Sequence, residues 1–260
     1  MSFQFNKNLG QNFLTDNNLL RAIVADAGIT KADSVLEIGA GAGALTYELC
    51  AAAGRVVAYE IDLRLKDILA EKLADFDNYE LRFADYLKEK SPPASNKVCA
   101  NLPYYITAPV IFNLIEGQHP PEVIVIMVQE EVAHRLCAAP GTKDYGAMTA
   151  SVKLAYKPEI TRKVNRAMFV PRPNVDSAVV RLIRLDCPYD LPKTRRVIKA
   201  AFAMRRKTLL NNLTAGLNTT RAAAGQALAA CNIKPDARGE TLSPEKFAEL
   251  SQILIDIGSI

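Results

Sequence analysis

Residues Val35 to Thr46, VLEIGAGAGALT, constrain the fold of this chain more than any other stretch. An apolar, β-prone run carries an acid near its end, glycines follow at Gly39, Gly41 and Gly43, and a helix-forming segment opens behind them. Such an order suits a strand that turns sharply into a helix, because glycine tolerates the left-handed backbone the turn needs and lets a ligand approach the main chain. The turn also aims unpaired helix N–H groups outward at the carboxyl edge of a sheet. The usual dinucleotide fingerprint is spaced G-x-G-x-x-G, whereas here Ala44 stands where the last glycine would be. Glu37 is a poor neighbour for a pyrophosphate and a good one for an ammonium or sulfonium.

The pattern around this turn predicts the rest of the domain. VLEI, VVAYE, YELRFAD, KVCANL and VIVIMV are short runs rich in β-branched and aromatic residues, and helical stretches lie at about 44–52, 63–76 and 108–116. Nearly continuous apolar strands alternating with helices imply a parallel sheet covered on both faces, a Rossmann-like doubly wound α/β domain. An arm and helix lead in, with Asp16 or Asn17 as cap and Leu19, Leu20, Ile23, Val24 and Ala27 as the apolar face. Further helices at about 129–137 and 146–155 precede two strand-like runs, 159–164 and 178–185, joined by the proline loop FVPRPNVDS. These runs predict an antiparallel addition at one sheet edge. CPYDLPK reads as a boundary, so residues 1–187 form one domain and 188–260 a small all-helical one. There Ser243 caps a helix with Pro244 in its first turn and Phe247, Leu250, Leu254 and Ile257 on its buried face.

Glu60 ends the second strand of the series, where a carboxylate accepts from ribose hydroxyls, and Asp85 follows the third, where it accepts from an adenine amine. With Glu37, three acids stand at the ligand-binding edge of the predicted sheet. S-adenosylmethionine fits that set better than NAD, having an adenosine, an amino acid group and a positive sulfur but no phosphate. The alternative is an ordinary strand-to-helix turn followed by solvated acids.

Asn101-Leu102-Pro103-Tyr104-Tyr105 follows the fourth strand and is expected at the same edge. An exocyclic base amine is a weak nucleophile because its lone pair is delocalised into the ring. The Asn101 side-chain carbonyl and the Leu102 backbone carbonyl, kept outward by Pro103, can accept its two hydrogens, and Tyr104 can stack on the base. Rate then comes from alignment and from charge leaving a sulfonium. A bland proline turn with two half-buried tyrosines is the alternative.

At 260 residues and 49% hydrophobic, the chain can bury a large core and a smaller one. Five scattered cysteines without a C-x-x-C pair and two histidines argue against a metal site or a disulfide framework. With no signal-like start and no apolar run of membrane-spanning length, the expected setting is a reducing cytoplasm without membrane attachment. A net charge of +4 does not by itself imply a polyanion partner, but its placement does more. Lys193, Arg195, Arg196, Lys199, Arg205, Arg206 and Lys207 crowd residues 190–210 against one acid, Asp190. Arg195, Lys199 and Arg206 are expected along one helix flank, either as an RNA-docking surface or as a solvated face.

These segments, with NLGQNFL at residues 8–14, FVPRPNVDSAVVRL, FAMRRKTLLNNL and RGETLSPEKFAEL, resemble the bacterial ribosomal RNA adenine dimethyltransferases over nearly the whole chain. The resemblance implies a class I methyltransferase that uses S-adenosylmethionine to dimethylate N6 of two adjacent adenosines near the 3′ end of small-subunit rRNA. It also implies a monomer working on the small subunit or its precursor. It maps cofactor binding to Gln11, Asn12 and Leu14 of the arm, to Gly39 and Gly41, to Glu60 and the following Ile61, and to Asp85 and the following Tyr86. Asn101 to Tyr104 become the acceptor loop, and Phe169 a ring that stacks on the flipped base or is simply a core aromatic. RNA contacts fall to Arg195, Lys199, Arg205, Arg206 and Lys207. The chain departs from the usual family pattern at Asn12, at Ala40 and Ala42, and at Asn165-Arg166. Rival readings are a large-subunit adenine methyltransferase of the antibiotic-resistance type, a DNA amino-methylase, and a non-catalytic assembly or transcription factor on the same fold.

Overall fold

The computed structural model describes residues 11–204 and 206–260. Its centre is a seven-stranded sheet built from β2 (Ser34–Ile38), β3 (Arg55–Glu60), β4 (Tyr79–Phe83), β5 (Lys97–Asn101), β6 (Val123–Gln129), β7 (Tyr156–Val164) and β9 (Ser177–Arg184), in the order β4-β3-β2-β5-β6-β9-β7. The first five in that order are mutually parallel and β9 runs antiparallel to β6. Chain order reverses direction across the β2/β5 pair, which opens a crevice at the carboxyl ends of those strands. Two short strands, β1 (Phe13–Leu14) and β8 (Phe169–Val170), pair antiparallel in a separate ribbon, Phe13 opposite Val170 and Leu14 opposite Phe169.

Helices α1 (Asn17–Asp26), α2 (Ala44–Ala52), α3 (Lys66–Lys72) and α4 (Thr107–Glu116) accompany the parallel strands. Asp16 is the α1 cap, accepting from the N–H groups of Asn18 and Leu19, and Leu20, Ile23 and Val24 are buried beneath. The long helix expected over 63–76 is instead a 3-10 turn capped by Asp62 and then α3, ending at Leu73. One face of the sheet buries Val35, Val56, Cys99, Val125 and Met127 with Leu45, Leu49 and Leu69 in one apolar cluster.

The chain divides into two compact units, residues 1–133 with 158–184, and residues 134–157 with 185–260. The sequence suggested a single cut at 187/188, but 134–157 group with the C-terminal helices. The reason is apolar packing: Tyr145, Ala150 and Leu154 share a core with Val197, Leu213, Leu228 and Phe247. Tyr145 also donates its hydroxyl to the Leu242 carbonyl at 2.8 Å. Within this second unit lie α6 (Ala147–Ala155), α7 (Leu191–Ala201), α8 (Leu209–Leu217), α9 (Arg221–Ala230) and α10 (Pro244–Asp256); α5 (Glu130–Cys137) bridges the division in sequence. Asp190, Thr208, Thr220 and Ser243 each cap the helix that follows.

Two expectations for this unit need correction. Ile257 is not on the buried face of α10, because the helix ends at Asp256 and Ile257 is 37% exposed. Arg206 does not continue a flank with Arg195 and Lys199, since α7 stops at Ala201. The Asn212 Nδ2 donates to the carbonyls of Ala201 and Met204, satisfying acceptors that another helical turn would have used. Arg206 and Lys207 therefore sit exposed in the turn before α8, and Arg205 lies outside the described residues.

Candidate active site

The strand-to-helix turn after β2 has the conformation its glycines suggested. Gly39, Gly41 and Gly43 have φ of +84°, +57° and +79°, a region that disfavours any residue with a Cβ, and Gly43 is the residue from which α2 starts. A Cβ on Gly39 would lie 3.7 Å from the Asn101 carbonyl oxygen and 3.8 Å from Pro103 Cδ, so the glycine turn and the Asn-Leu-Pro-Tyr loop are close neighbours. A Cβ on Gly41 would meet the Phe13 ring at 3.1 Å, which places the N-terminal arm over the same turn.

A cavity of about 510 Å³ opens between these elements, within the size range of small-molecule sites. Its walls include Gln11, Asn12 and Leu14 from the arm, Glu37, Gly39 and Gly41 from the glycine turn, and Glu60 and Ile61 after β3. Asp85 and Tyr86 enter from the end of β4, and Asn101, Leu102, Pro103 and Tyr104 from the end of β5. Phe169 contributes from β8. Thus every cofactor or catalytic residue inferred from sequence borders one space, all within the first unit. Arg195, Lys199, Arg206 and Lys207 belong to the second unit and border none of it.

The three acids stand in different states. Glu37, inside β2 with Ala58 and Cys99 as lateral partners, is 1% exposed, and its Oε2 is buried without a hydrogen-bond partner. Burial pushes its carboxyl up to about 8, opposed by Thr46 and reinforced by the neighbouring Glu60 charge. Glu60 accepts three backbone N–H groups, from Gly41 at 2.7 Å and from Ile61 and Asp62 at 2.8 Å. A carboxylate offers about four acceptor positions, so Glu60 is held in place while little capacity is left over. Asp85 accepts from the Leu87 N–H at 3.0 Å and lies 3.6 Å from Lys88 Nζ, with its side chain partly exposed to the cavity side of β4. An orphaned buried carboxylate oxygen, a fixed carboxylate and a third acid on one wall fit a ligand that brings an ammonium, hydroxyls and an amine, as S-adenosylmethionine does.

The end of β5, next to β2 in the sheet, brings uncharged groups. Asn101 Nδ2 donates to the Asn12 carbonyl at 3.2 Å, which makes Oδ1 the acceptor end of the amide. Pro103, with φ −54° and ψ 131°, starts a 3-10 turn over Tyr104–Ile106. The Tyr104 and Ser177 hydroxyls share a 2.8 Å hydrogen bond that ties the half-buried ring to the start of β9. Burial raises the Tyr104 phenol above its ordinary range, the Ser177 bond working against that and Asp176 with it, so the ring stays uncharged at neutral pH.

Phe169 is 3% exposed and packs in the same apolar cluster as Leu14 and Leu20 while bordering the cavity, so its core role is plain in this conformation. Asn165 and Arg166 hold the loop before it: Asn165 caps a 3-10 turn through the Ala167 N–H, and the Arg166 N–H and guanidinium bond to Asp176 and to the Asn174 carbonyl. Sequence reasoning missed Phe13 and Val170 at this cavity and gave Tyr105, expected at the same edge, no role there. Phe13 and Val170 face each other only through the β1/β8 pairing, which links residues more than 150 apart and leaves no local pattern. Tyr105 did carry a signal, since it completes the NLPYY run.

Comparison with known proteins agrees with this geometry. The ribosomal RNA adenine dimethylase family matches residues 2–256. A curated relative from Geobacillus thermodenitrificans, ribosomal RNA small subunit methyltransferase A, is 45% identical over 271 residues, covering 98% of this chain and 92% of the relative. The protein of the same name from Streptococcus agalactiae serotype V is 45% identical over 272 residues, covering 98% and 94%. The crystal structure of a dimethyladenosine transferase from Plasmodium falciparum superposes with a TM-score of 0.82 at 28% identity, over 95% of this chain and 98% of that one. The 23S rRNA methyltransferase ErmE superposes with a TM-score of 0.72 at 30% identity, over 94% and 100%. Matched from near its first residue to near its last and built on the same sheet, the chain belongs to the ribosomal RNA adenine dimethylase family.

Proposed function

We propose that this protein transfers methyl groups from S-adenosylmethionine to N6 of two adjacent adenosines near the 3′ end of small-subunit rRNA, acting as a monomer during ribosome assembly. The observation that carries the proposal is the meeting of the acid-bearing ends of β2–β4 with the Asn101–Tyr104 loop around one cavity. Relatives at 45% identity carry the small-subunit name, while the large-subunit enzyme ErmE stands at 30%, which favours the small-subunit substrate.

The bound cofactor supplies an electrophilic methyl on a positive sulfur. On the chain's side, Glu37 faces the amino acid group, Glu60 the ribose and Asp85 the adenine amine, with Ile61 and Tyr86 beside the rings and Gln11, Asn12 and Leu14 closing the arm side. Glu60 must exchange at least one of its backbone bonds to serve two hydroxyls. Asn101 Oδ1 and the Leu102 carbonyl accept the two N6 hydrogens, drawing the amine out of conjugation and aiming its lone pair. Tyr104, tethered through Ser177, supplies a face for the target base. As nitrogen gains the methyl it sheds one proton to water, and a second round gives the dimethylated base. An adenine inside a duplex cannot reach the cavity, so the target is unpaired or turned out. Arg195, Lys199, Arg206, Lys207 and Arg205 then serve phosphate contacts in the helical unit.

Incubating the protein with small subunits that lack dimethyladenosine and with methyl-labelled cofactor, then mapping the label by mass spectrometry, tests this directly. Two adjacent dimethyladenosines in small-subunit rRNA are expected. Label found only in large-subunit RNA or in DNA would sink the assignment.

A further inference from the structure

The NLPYY loop holds two tyrosines with opposite surroundings. Tyr104 is half-buried and tied to Ser177, whereas Tyr105 is 62% exposed at the rim of the same cavity, and among the described residues its hydroxyl has no hydrogen bond. Both lie in the 3-10 turn Tyr104–Ile106, in which successive side chains project about 120° apart. The two rings therefore cannot lie on the same base. Val170, 48% exposed, borders the same cavity, so Tyr105 is not the only exposed apolar side chain at its edge. An exposed aromatic adds little to folding, and a ring fixed on a turn beside an unpaired-nucleotide site is a ready stacking platform.

We infer that Tyr105 is a substrate-contact residue that stacks on the nucleobase next to the one held by Asn101 and Tyr104. The inference rests on the proposal that the acceptor is an unpaired RNA adenine with an adenine neighbour. It explains how an enzyme with one amine-accepting loop keeps hold of a two-base target: while one base is inside, its neighbour is parked on the outer ring. Stacking needs the ring and not the hydroxyl, so Tyr105→Phe should behave as the parent while Tyr105→Ala should not.

Two measurements on the full chain test this. With small subunits lacking dimethyladenosine, Tyr105→Ala should raise KM for the subunit about tenfold, the lower part of the range for one stacked base, with kcat changed far less. Cofactor affinity by calorimetry should be unchanged, and Tyr105→Phe should restore KM. In the second measurement, a short RNA loop carries two adjacent adenosines with one replaced by 2-aminopurine, whose emission is quenched on stacking. Binding of the parent and of Tyr105→Phe should quench the probe at the neighbour position, and Tyr105→Ala should leave it bright. An unchanged KM, equal quenching by Tyr105→Ala, no quenching by the parent, or a loss confined to cofactor affinity would each overturn the inference. Should the parent itself fail to methylate small subunits, the underlying function would fall instead, a distinguishable result.

Discussion

The cavity has two unlike walls. The ends of β2, β3 and β4 bring Glu37, Glu60 and Asp85, while the end of β5 brings an amide, a backbone carbonyl and phenol rings. Carboxylates suit a ligand with a positive charge and several donors. Neutral acceptors suit an uncharged amine that must keep its lone pair available. Within the acid wall a second contrast holds: Glu60 is anchored by three backbone N–H groups, and Glu37, one strand away, has an oxygen with no partner. The same residue type at the same sheet edge is thus fixed in one place and left waiting in the other, depending only on which backbone groups face it.

Removing one wall at a time should separate binding from chemistry. The largest effect is expected for Asn101→Ala, which should lower kcat by at least about 100-fold, the scale seen when one positioned polar partner is removed. Cofactor affinity should survive, as calorimetry would show; unchanged turnover would return Asn101 to a structural role. Next comes Glu60→Ala, which should weaken cofactor binding roughly 10- to 100-fold, the range for losing charged hydrogen bonds. It should also loosen the Gly41 turn, visible as faster amide exchange there, whereas Asn101→Ala should leave that turn alone.

Glu37 should show its state through pH. Its carboxyl is raised from 4.5 to about 8, so the folded chain holds a proton that the unfolded chain releases. Its contribution to stability is therefore complete below pH 4.5 and declines as pH rises towards about 8. Cofactor affinity runs the other way at first, since pairing with an ammonium requires the ionised form: it should climb towards about pH 8 and fall above it as the ligand's own α-ammonium loses its proton. Glu37→Gln should flatten both profiles at a lower affinity, and a pH-independent affinity in the parent would refute the pairing. The smallest effect belongs outside the cavity. Neutralising Arg206 and Lys207 should reduce the slope of log affinity against log salt for small subunits by roughly one to two, with cofactor binding intact.

Much of this was legible in the chain. Strand, glycine turn and helix from Val35 to Ala52 follow from local residue types, because a positive φ and a strand end are set within a few residues. The acids and NLPYY were assigned to one edge because parallel strands joined by helices deliver their carboxyl ends together. Elsewhere distant partners decided. Residues 134–157 joined the helical unit through Tyr145 and Leu154, and at the end of α7 Asn212, eleven residues on, took the Ala201 carbonyl.

By itself, then, the sequence determined which side chains meet at the sheet edge and so the class of ligand they suit. Tertiary structure alone decided their states. One Glu37 oxygen is left without a partner by burial between apolar strands, while Glu60 has most of its acceptor positions filled by the Gly41 turn and by the Ile61 and Asp62 N–H groups that follow it. Tyr104 is held inward by a serine 73 residues away, and Tyr105 is left outward at the rim. Residue type specifies what a group can do. Desolvation and hydrogen-bond supply, which depend on segments remote in the chain, specify whether it is fixed, charged or free to meet a ligand.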